Sequence, residues 1–181
     1  MASRVQIYTD PLQHALIASI VVAPLVRPAG PRVFVTAVAA ALAIDIDHAV
    51  AARSVRVRDT TALATRPRTH SLLTAVGTGG IVTAAAGPLH GWAAFAGLVS
   101  HLLHDAGDHA APTPLLWPVS PARQLGRRRQ VAGTALLALG SLALSRAVAG
   151  ASSAPSAAAG ADAGAGSSSS RRSGSRCSRA S

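Results

Sequence analysis

The chain alternates long apolar stretches with short polar connections. Five stretches are rich in Ala, Val and Leu: Leu12–Val26, Val33–Val50, Ser71–Gly87, Leu89–Leu103 and Val131–Gly150. The second and fifth approach the roughly 20 residues that a membrane-spanning helix needs, and the other three are at or just below the low end of that range. The pattern predicts an all-α fold, a polytopic membrane helix bundle of about four to five helices. The shorter stretches can be tilted, half-buried or re-entrant instead of fully spanning.

The end of the chain has a different composition. Residues 151–181 are mainly Ala, Ser, Gly and Arg. Such a segment cannot bury enough apolar surface to offset the entropy lost on ordering, so we expect a disordered C-terminal tail after a membrane-embedded domain at residues 1–150. At the other end, Asp10 and His14 interrupt the approach to the first apolar stretch, and no small-residue cleavage site follows. This favours an uncleaved first helix over a signal peptide.

Charge and composition support the membrane interpretation. Charged residues make up 13% of the chain, against about 25% in soluble domains. The formal net charge is +10, and all basic residues are arginines that lie mostly between apolar stretches. We therefore expect them to face an anionic lipid bilayer, and no direct nucleic-acid binding is expected. The single cysteine, Cys177, excludes an intrachain disulfide and a cysteine-based zinc finger.

Arginine placement predicts the topology. The connection at residues 51–70 carries five arginines and the connection at 105–130 carries four, whereas residues 27–32 carry two and the turn at Gly87-Pro88 carries none. Under the positive-inside rule, the two arginine-rich connections are cytoplasmic. With five spans, the N-terminus is then also inside and the tail outside.

Ionisable residues inside apolar helices are costly, and here they are few. On the predicted topology, four groups of them fall at the cytoplasmic ends of four helices. The groups are His14; Asp45, Asp47 and His48; His70; and His101, His104 and Asp105. His90 falls at the opposite end and is excluded, and His104 and His109 are the weakest candidates.

The spacing within these groups suits metal ligation. Asp45 and His48 are three residues apart and His101 and Asp105 are four apart, so each pair shares a helix face. Three or four His and carboxylate ligands suffice for a catalytic zinc ion, and the number of candidates also allows two ions or carboxylates that orient the histidines. A mixed N and O set suits zinc first, then manganese or iron. Taken singly, each residue is as well explained as an interfacial or capping side chain, and only the convergence favours a metal.

The order of these motifs resembles the YdjM-type family of inner-membrane proteins. The resemblance rests on an early His, then Asp-Ile-Asp-His at 45–48, Thr-His-Ser at 69–71, His-Leu-Leu-His-Asp at 101–105 and Leu-Leu-Trp-Pro at 115–118. The family is described as LexA-binding, membrane-bound metal-dependent hydrolases, similar in fold to zinc-dependent phospholipase C and P1-type nucleases. One departure is Ile44, which stands where the family usually has proline, and another is His104, where an apolar residue is common.

The resemblance implies an inner-membrane location and roles for individual residues, and the arginine placement predicts a site on the cytoplasmic side. The expected ligands of a divalent metal are His14, Asp45, His48, His70, His101 and Asp105. Asp47 is expected to act as a general base or a further ligand. Arg66 and Arg68 are expected to bind a substrate phosphate, since guanidinium matches phosphate oxygens, although topology-setting charge explains them equally well.

Two other functions compete with a metal-dependent hydrolase of phosphoesters or lipids. One is a non-catalytic membrane adaptor that binds a soluble, LexA-like regulatory protein through its basic loops and uses the His/Asp set structurally. The other is a small transporter that uses the buried carboxylates. The transporter is disfavoured because the polar groups lie at one face and do not follow a path across the bilayer.

Overall fold

A computed structural model describes residues 4–56, 59–60, 63–108 and 111–153. Within them the chain forms seven α-helices and a single 3-10 turn, at Ala23–Leu25. The helices are α1 (Arg4–Val22), α2 (Val26–Ala29), α3 (Arg32–Ala43), α4 (Ile46–Ala52), α5 (Leu72–Ala86), α6 (Pro88–Asp108) and α7 (Arg127–Ser153). The described chain contains no β-sheet, only an isolated bridge between Thr113 and Arg123. The prediction of an all-helical bundle is confirmed.

Each predicted apolar stretch is helical, but its limits differ. The first stretch is α1 with the 3-10 turn and α2, and the helix is already present at Arg4, so His14 lies about three turns inside it and does not open it. The second stretch is divided into α3 and α4 at Ile44–Asp45. Helix α7 continues through Ser153, past the predicted start of the tail. The rest of the tail lies outside the described residues.

Helix α6 is the centre of the bundle and packs against α1, α3, α5 and α7. Its core contacts are made largely by small side chains. Ala93 and Ala96 of α6 join Val33, Ala37 and Ala41, which recur every four residues along one face of α3. At Gly97, a Cβ atom would collide with the backbone carbonyl of Ala37, so glycine is what allows α3 and α6 to approach this closely.

Large apolar side chains cover the outside of the bundle. Leu12, Val35, Ile81 and Leu136 are each more than two-thirds exposed, far more apolar surface than a soluble monomer presents. By length and composition, three stretches of the described chain could cross a membrane: Asp10–Ala29, Arg32–Ala52 and Arg127–Ser152. Helix α5 is apolar but shorter. Both the apolar exterior and these lengths are typical of a protein surrounded by lipid.

Candidate metal centre

The interruption between α3 and α4 places two candidate ligands side by side. The amide of Asp45 donates to the carbonyl of Leu42, and the amide of His48 donates to the carbonyl of Asp45, both over three residues and not four. Such a tightened turn inside a longer helix often marks a functional position. It brings Nδ1 of His48 to 3.5 Å from Oδ1 of Asp45, on the inner side of the bundle.

His70 is held by the loop that precedes α5. Its amide donates to the carbonyl of Pro67, and Ser71 caps α5 by accepting a hydrogen bond from the amide of Thr74. The amide of Leu72 donates to the carbonyl of Leu115, which ties this helix start to the 111–126 connection. Ser71 therefore has a structural role as a helix cap.

His101 and Asp105 lie one turn apart on α6 and are both fully buried. They face α1, where His14 is also buried, and the rings of His14 and His101 stack with their centroids 3.7 Å apart. Residues from α1, the α3–α4 turn, the loop before α5 and α6 thus meet at one end of the bundle. The structure therefore brings these candidate residues together, and their role as metal ligands stays a prediction.

Four of these residues form a compact set that we call the central quartet: Asp45, His70, His101 and Asp105. Nε2 of His101 lies 3.4 Å from Oδ1 of Asp45 and 3.4 Å from Oδ2 of Asp105. Nε2 of His70 lies 3.9 Å and 3.5 Å from the same two oxygens. Two imidazole nitrogens and two carboxylate oxygens therefore point at one small volume.

These distances fit a shared cation better than hydrogen bonds. Hydrogen bonds between N and O are about 2.7–3.2 Å long, whereas four ligands arranged tetrahedrally at about 2.0–2.2 Å from a zinc ion are about 3.3–3.6 Å apart. Nε2 of His70 and both ring nitrogens of His101 are buried and make no hydrogen bond within the described residues. Burying such groups without a partner costs roughly 1–3 kcal/mol each, and a divalent cation in the quartet would supply a partner for the Nε2 atoms of His70 and His101.

Asp47 lies on the far side of His70 from the quartet. Its Oδ2 is 2.9 Å from Nδ1 of His70, and the hydroxyl of Thr69 also donates to this oxygen. Burial by itself would lower the pKa of His70, but the neighbouring carboxylates of Asp45 and Asp47 outweigh burial and raise the pKa to about 9. A carboxylate against the outer nitrogen of an imidazole is the arrangement that orients metal-binding histidines, so the geometry of Asp47 favours an orienting role over that of a general base.

The two arginines expected to bind phosphate have different surroundings. Arg66 reaches into the cluster, the name we give to the eight His and Asp residues predicted at the helix ends (His14, Asp45, Asp47, His48, His70, His101, His104 and Asp105). Its Nε lies 3.3 Å from Oδ2 of Asp105, and its Nη1 donates to Nε2 of His48 at 3.0 Å. Arg68 is exposed, and its guanidinium lies over the ring of Trp117, 5.9 Å from the centroid. His48 is engaged by Arg66 and Asp45 at the margin of the cluster, and its ligand role stays a prediction.

Two further side chains lie at the site: His104, which the sequence made one of the weakest candidates, and Gln130, which was not a candidate. His104 is buried, its ring meets that of His14 edge-on at 4.8 Å, and its Nδ1 lies 2.9 Å from Nε2 of Gln130 on α7. The three-residue spacing of His101 and His104, which puts them on one helix face, was the signal for His104. His90 lies away from the cluster, as predicted, and its ring contacts the hydroxyl of Thr36. His109 lies outside the described residues.

Access to the cluster is uneven. The side chains of His70, His101 and Asp105 are at most 1% exposed, whereas those of Asp47 and Asp45 are 18% and 36% exposed. Water and small polar molecules therefore reach the quartet from the side of the α3–α4 turn.

Comparison with known proteins identifies one family. The model of the YdjM inner membrane protein family matches residues 10–165, which include every helix from the second half of α1 onwards and all residues of the cluster. None of the curated proteins or solved structures is similar enough to count as a match.

Proposed function

This chain belongs to the YdjM inner membrane protein family, and on that premise we propose that it is a membrane-bound, metal-dependent hydrolase. The observation that carries the proposal is the central quartet, where each of two imidazole nitrogens lies 3.4–3.9 Å from each of two carboxylate oxygens, and the four residues come from three parts of the chain. Imidazoles and carboxylates gathered in this way inside a bundle of apolar helices are expected to serve a function.

Zinc suits the quartet best, with manganese or iron as alternatives, because two imidazole nitrogens and two carboxylate oxygens form a mixed donor set. When bound, such an ion supplies Lewis-acid activation of a water molecule and stabilises charge that develops on a phosphoryl or carbonyl oxygen. The partial exposure of Asp45 supports the approach of water and substrate from its side of the quartet.

The chain's own residues have three further tasks in this proposal. Asp47 accepts the Nδ1 proton of His70 and so keeps Nε2 directed into the quartet. Arg66, already beside Asp105, can turn one edge of its guanidinium to a phosphate oxygen near the quartet. Arg68, stacked over Trp117, is better suited to attract an anionic substrate to the surface than to hold it in the site.

The positive charge of Arg66 and Arg68 and the surrounding membrane together suggest the class of substrate. A phosphoester or a lipid ester at the bilayer surface would meet cationic groups at the cluster and apolar helices around it. We place this surface on the cytoplasmic side of a multi-pass protein. The support is that the exposed arginines at 53, 56, 68 and 123 lie in the connections, and those at 127–129 in the first turn of α7, at the cluster's end of the bundle, as the positive-inside rule requires.

The test is metal-dependent turnover by the full chain purified in detergent. The probes are bis(p-nitrophenyl) phosphate and a short-chain phospholipid, assayed after chelation and after return of zinc or manganese. We expect turnover to require metal and to fall at least 100-fold in His101→Ala, because this residue contributes to the quartet directly. The control is His90→Ala, which removes a half-buried imidazole outside the cluster and should keep full turnover.

Two results would oppose a hydrolase. Turnover that survives chelation and the His101→Ala change would show that the quartet is not involved. Bound metal without turnover of either ester would favour the alternative, a membrane adaptor whose basic loops bind a soluble regulatory protein and whose His/Asp cluster is a structural clamp.

A further inference from the structure

Asp105 directs its two carboxylate oxygens at different histidines. Oδ2 faces the quartet, 3.4 Å from Nε2 of His101 and 3.5 Å from Nε2 of His70. Oδ1 faces α1 and lies 3.6 Å from Nε2 of His14. A carboxylate that is buried between two sets of imidazole nitrogens in this way has the geometry of a ligand shared by two cations.

His14 does not belong to the quartet but is in direct contact with it. Ligand atoms of His14, His101 and Asp105 all lie within 4.8 Å of one another, and so do those of Asp45, His70 and His101. The two groups share His101. The rings of His14 and His101 stack at 3.7 Å, so the two groups are in direct contact.

His104 completes the surroundings of His14. It follows His101 by three residues on α6 and meets the ring of His14 edge-on. Its Nδ1 contacts the side-chain amide of Gln130, and Gly107 makes room for Gln130, since a Cβ atom at position 107 would collide with that side chain. As placed, the amide nitrogen of Gln130 donates to Nδ1 of His104. With the amide in the opposite orientation its oxygen would accept the Nδ1 proton, and Nε2 of His104 would then ligate a metal, with the outer hydrogen bond typical of metal-binding histidines.

We infer that the cluster binds two divalent metal ions, one in the central quartet and a second between His14 and Oδ1 of Asp105, beside the His104 ring, with Asp105 bridging the two. The inference rests on the proposed function and deepens it, because two ions on one face of the site suit an ester whose attacking and leaving oxygens both carry developing charge. Gln130 is then a positioning residue for the second ion, acting through His104.

The test is to count ions and to detect their proximity, independently of activity. The full chain in detergent is stripped with a chelator, reloaded with Mn²⁺, and analysed for metal per chain and by electron paramagnetic resonance. We expect two ions per chain and a spectrum that shows spin coupling between them. His14→Ala and His104→Ala should each reduce the content to one ion and abolish the coupling, whereas the control His90→Ala should keep both ions.

The outcomes separate this inference from the proposed function. One uncoupled ion in the wild-type chain, or two coupled ions retained in His14→Ala, would overturn the second site and leave the quartet intact. No bound ion in the folded wild-type chain would overturn both. If the His14 variant does not fold, the wild-type spectrum alone decides whether there are two coupled ions.

Gln130→Leu should weaken retention of the second ion about 10- to 100-fold while the first is kept. If neither ion is lost, Gln130 has no positioning role for the second ion.

Discussion

Nε2 of His101 on α6 lies 3.4 Å from Oδ1 of Asp45 at the turn between α3 and α4. The contact crosses the interior of the bundle and links two elements that are far apart in the sequence. It is too long for a strong hydrogen bond and suits two ligands of one ion. Because the packing of α3 on α6 sets this distance, a variant that separates the two helices is expected to disturb the proposed site as well.

Asp47 should control metal affinity without being a ligand. Asp47→Asn keeps the shape of the side chain but removes the charge that holds the Nδ1 proton of His70, so we expect metal affinity to fall about 10- to 100-fold. Competition with a chromophoric chelator measures this affinity. The control is Asp59→Asn, which affects a carboxylate that pairs with Ser54 away from the cluster. Equal affinities for the wild type and Asp47→Asn would contradict the orienting role.

Metal affinity should also depend on pH through His70. In the metal-free protein the pKa of His70 is raised to about 9, so a proton competes with metal throughout the neutral range. Apparent affinity should therefore rise as the pH increases from 6.5 towards 9, by about tenfold per pH unit for one displaced proton. Binding at pH 7.5 should release a proton, which an indicator dye detects. A pH-independent affinity over this range would show that His70 does not bind the ion.

The close approach of α3 and α6 should be sensitive to a single methyl group. Gly97→Ala places a Cβ atom against the carbonyl of Ala37, and we expect the helices to separate at a cost of about 1–3 kcal/mol in the free energy of unfolding. Thermal unfolding in detergent measures the change. Gly77→Ala is the matched control, because a Cβ atom there meets nothing within 4 Å. If both variants unfold at the wild-type temperature, Gly97 is not a packing constraint.

The helices, and the convergence of most residues of the cluster, could be predicted from helical spacing and from the placement of the arginines. Helical spacing pairs Asp45 with His48 and His101 with Asp105, and the arginine distribution puts four helix ends on one side. Local spacing could not show that Asp47 lies against the outer nitrogen of His70, because that contact depends on the fold of the loop before α5. Nor could it separate Arg66, which enters the cluster, from Arg68, which stacks on Trp117. The contact of His104 with Gln130 depends on the packing of α7 against α6, which no sequence pattern specified.

The orientation in the membrane can be tested with an impermeant maleimide in a Cys177→Ser background. Val119, almost fully exposed in the connection at the cluster's end of the bundle, is replaced by cysteine in one variant. Pro31, at the turn between α2 and α3, is replaced in another. A cytoplasmic cluster predicts that Pro31→Cys is labelled in intact spheroplasts and Val119→Cys only after permeabilisation. The reverse pattern would put the cluster on the other side.

The most direct test of the central claim is the metal content of the purified full chain after reloading with zinc. The convergence of imidazoles and carboxylates predicts at least one tightly bound ion per wild-type chain. It predicts none in the His70→Ala, Asp105→Ala double variant, provided that this variant still elutes as a folded particle. A folded wild-type chain that holds no zinc, manganese or iron, or a double variant that holds as much as the wild type, would contradict the claim.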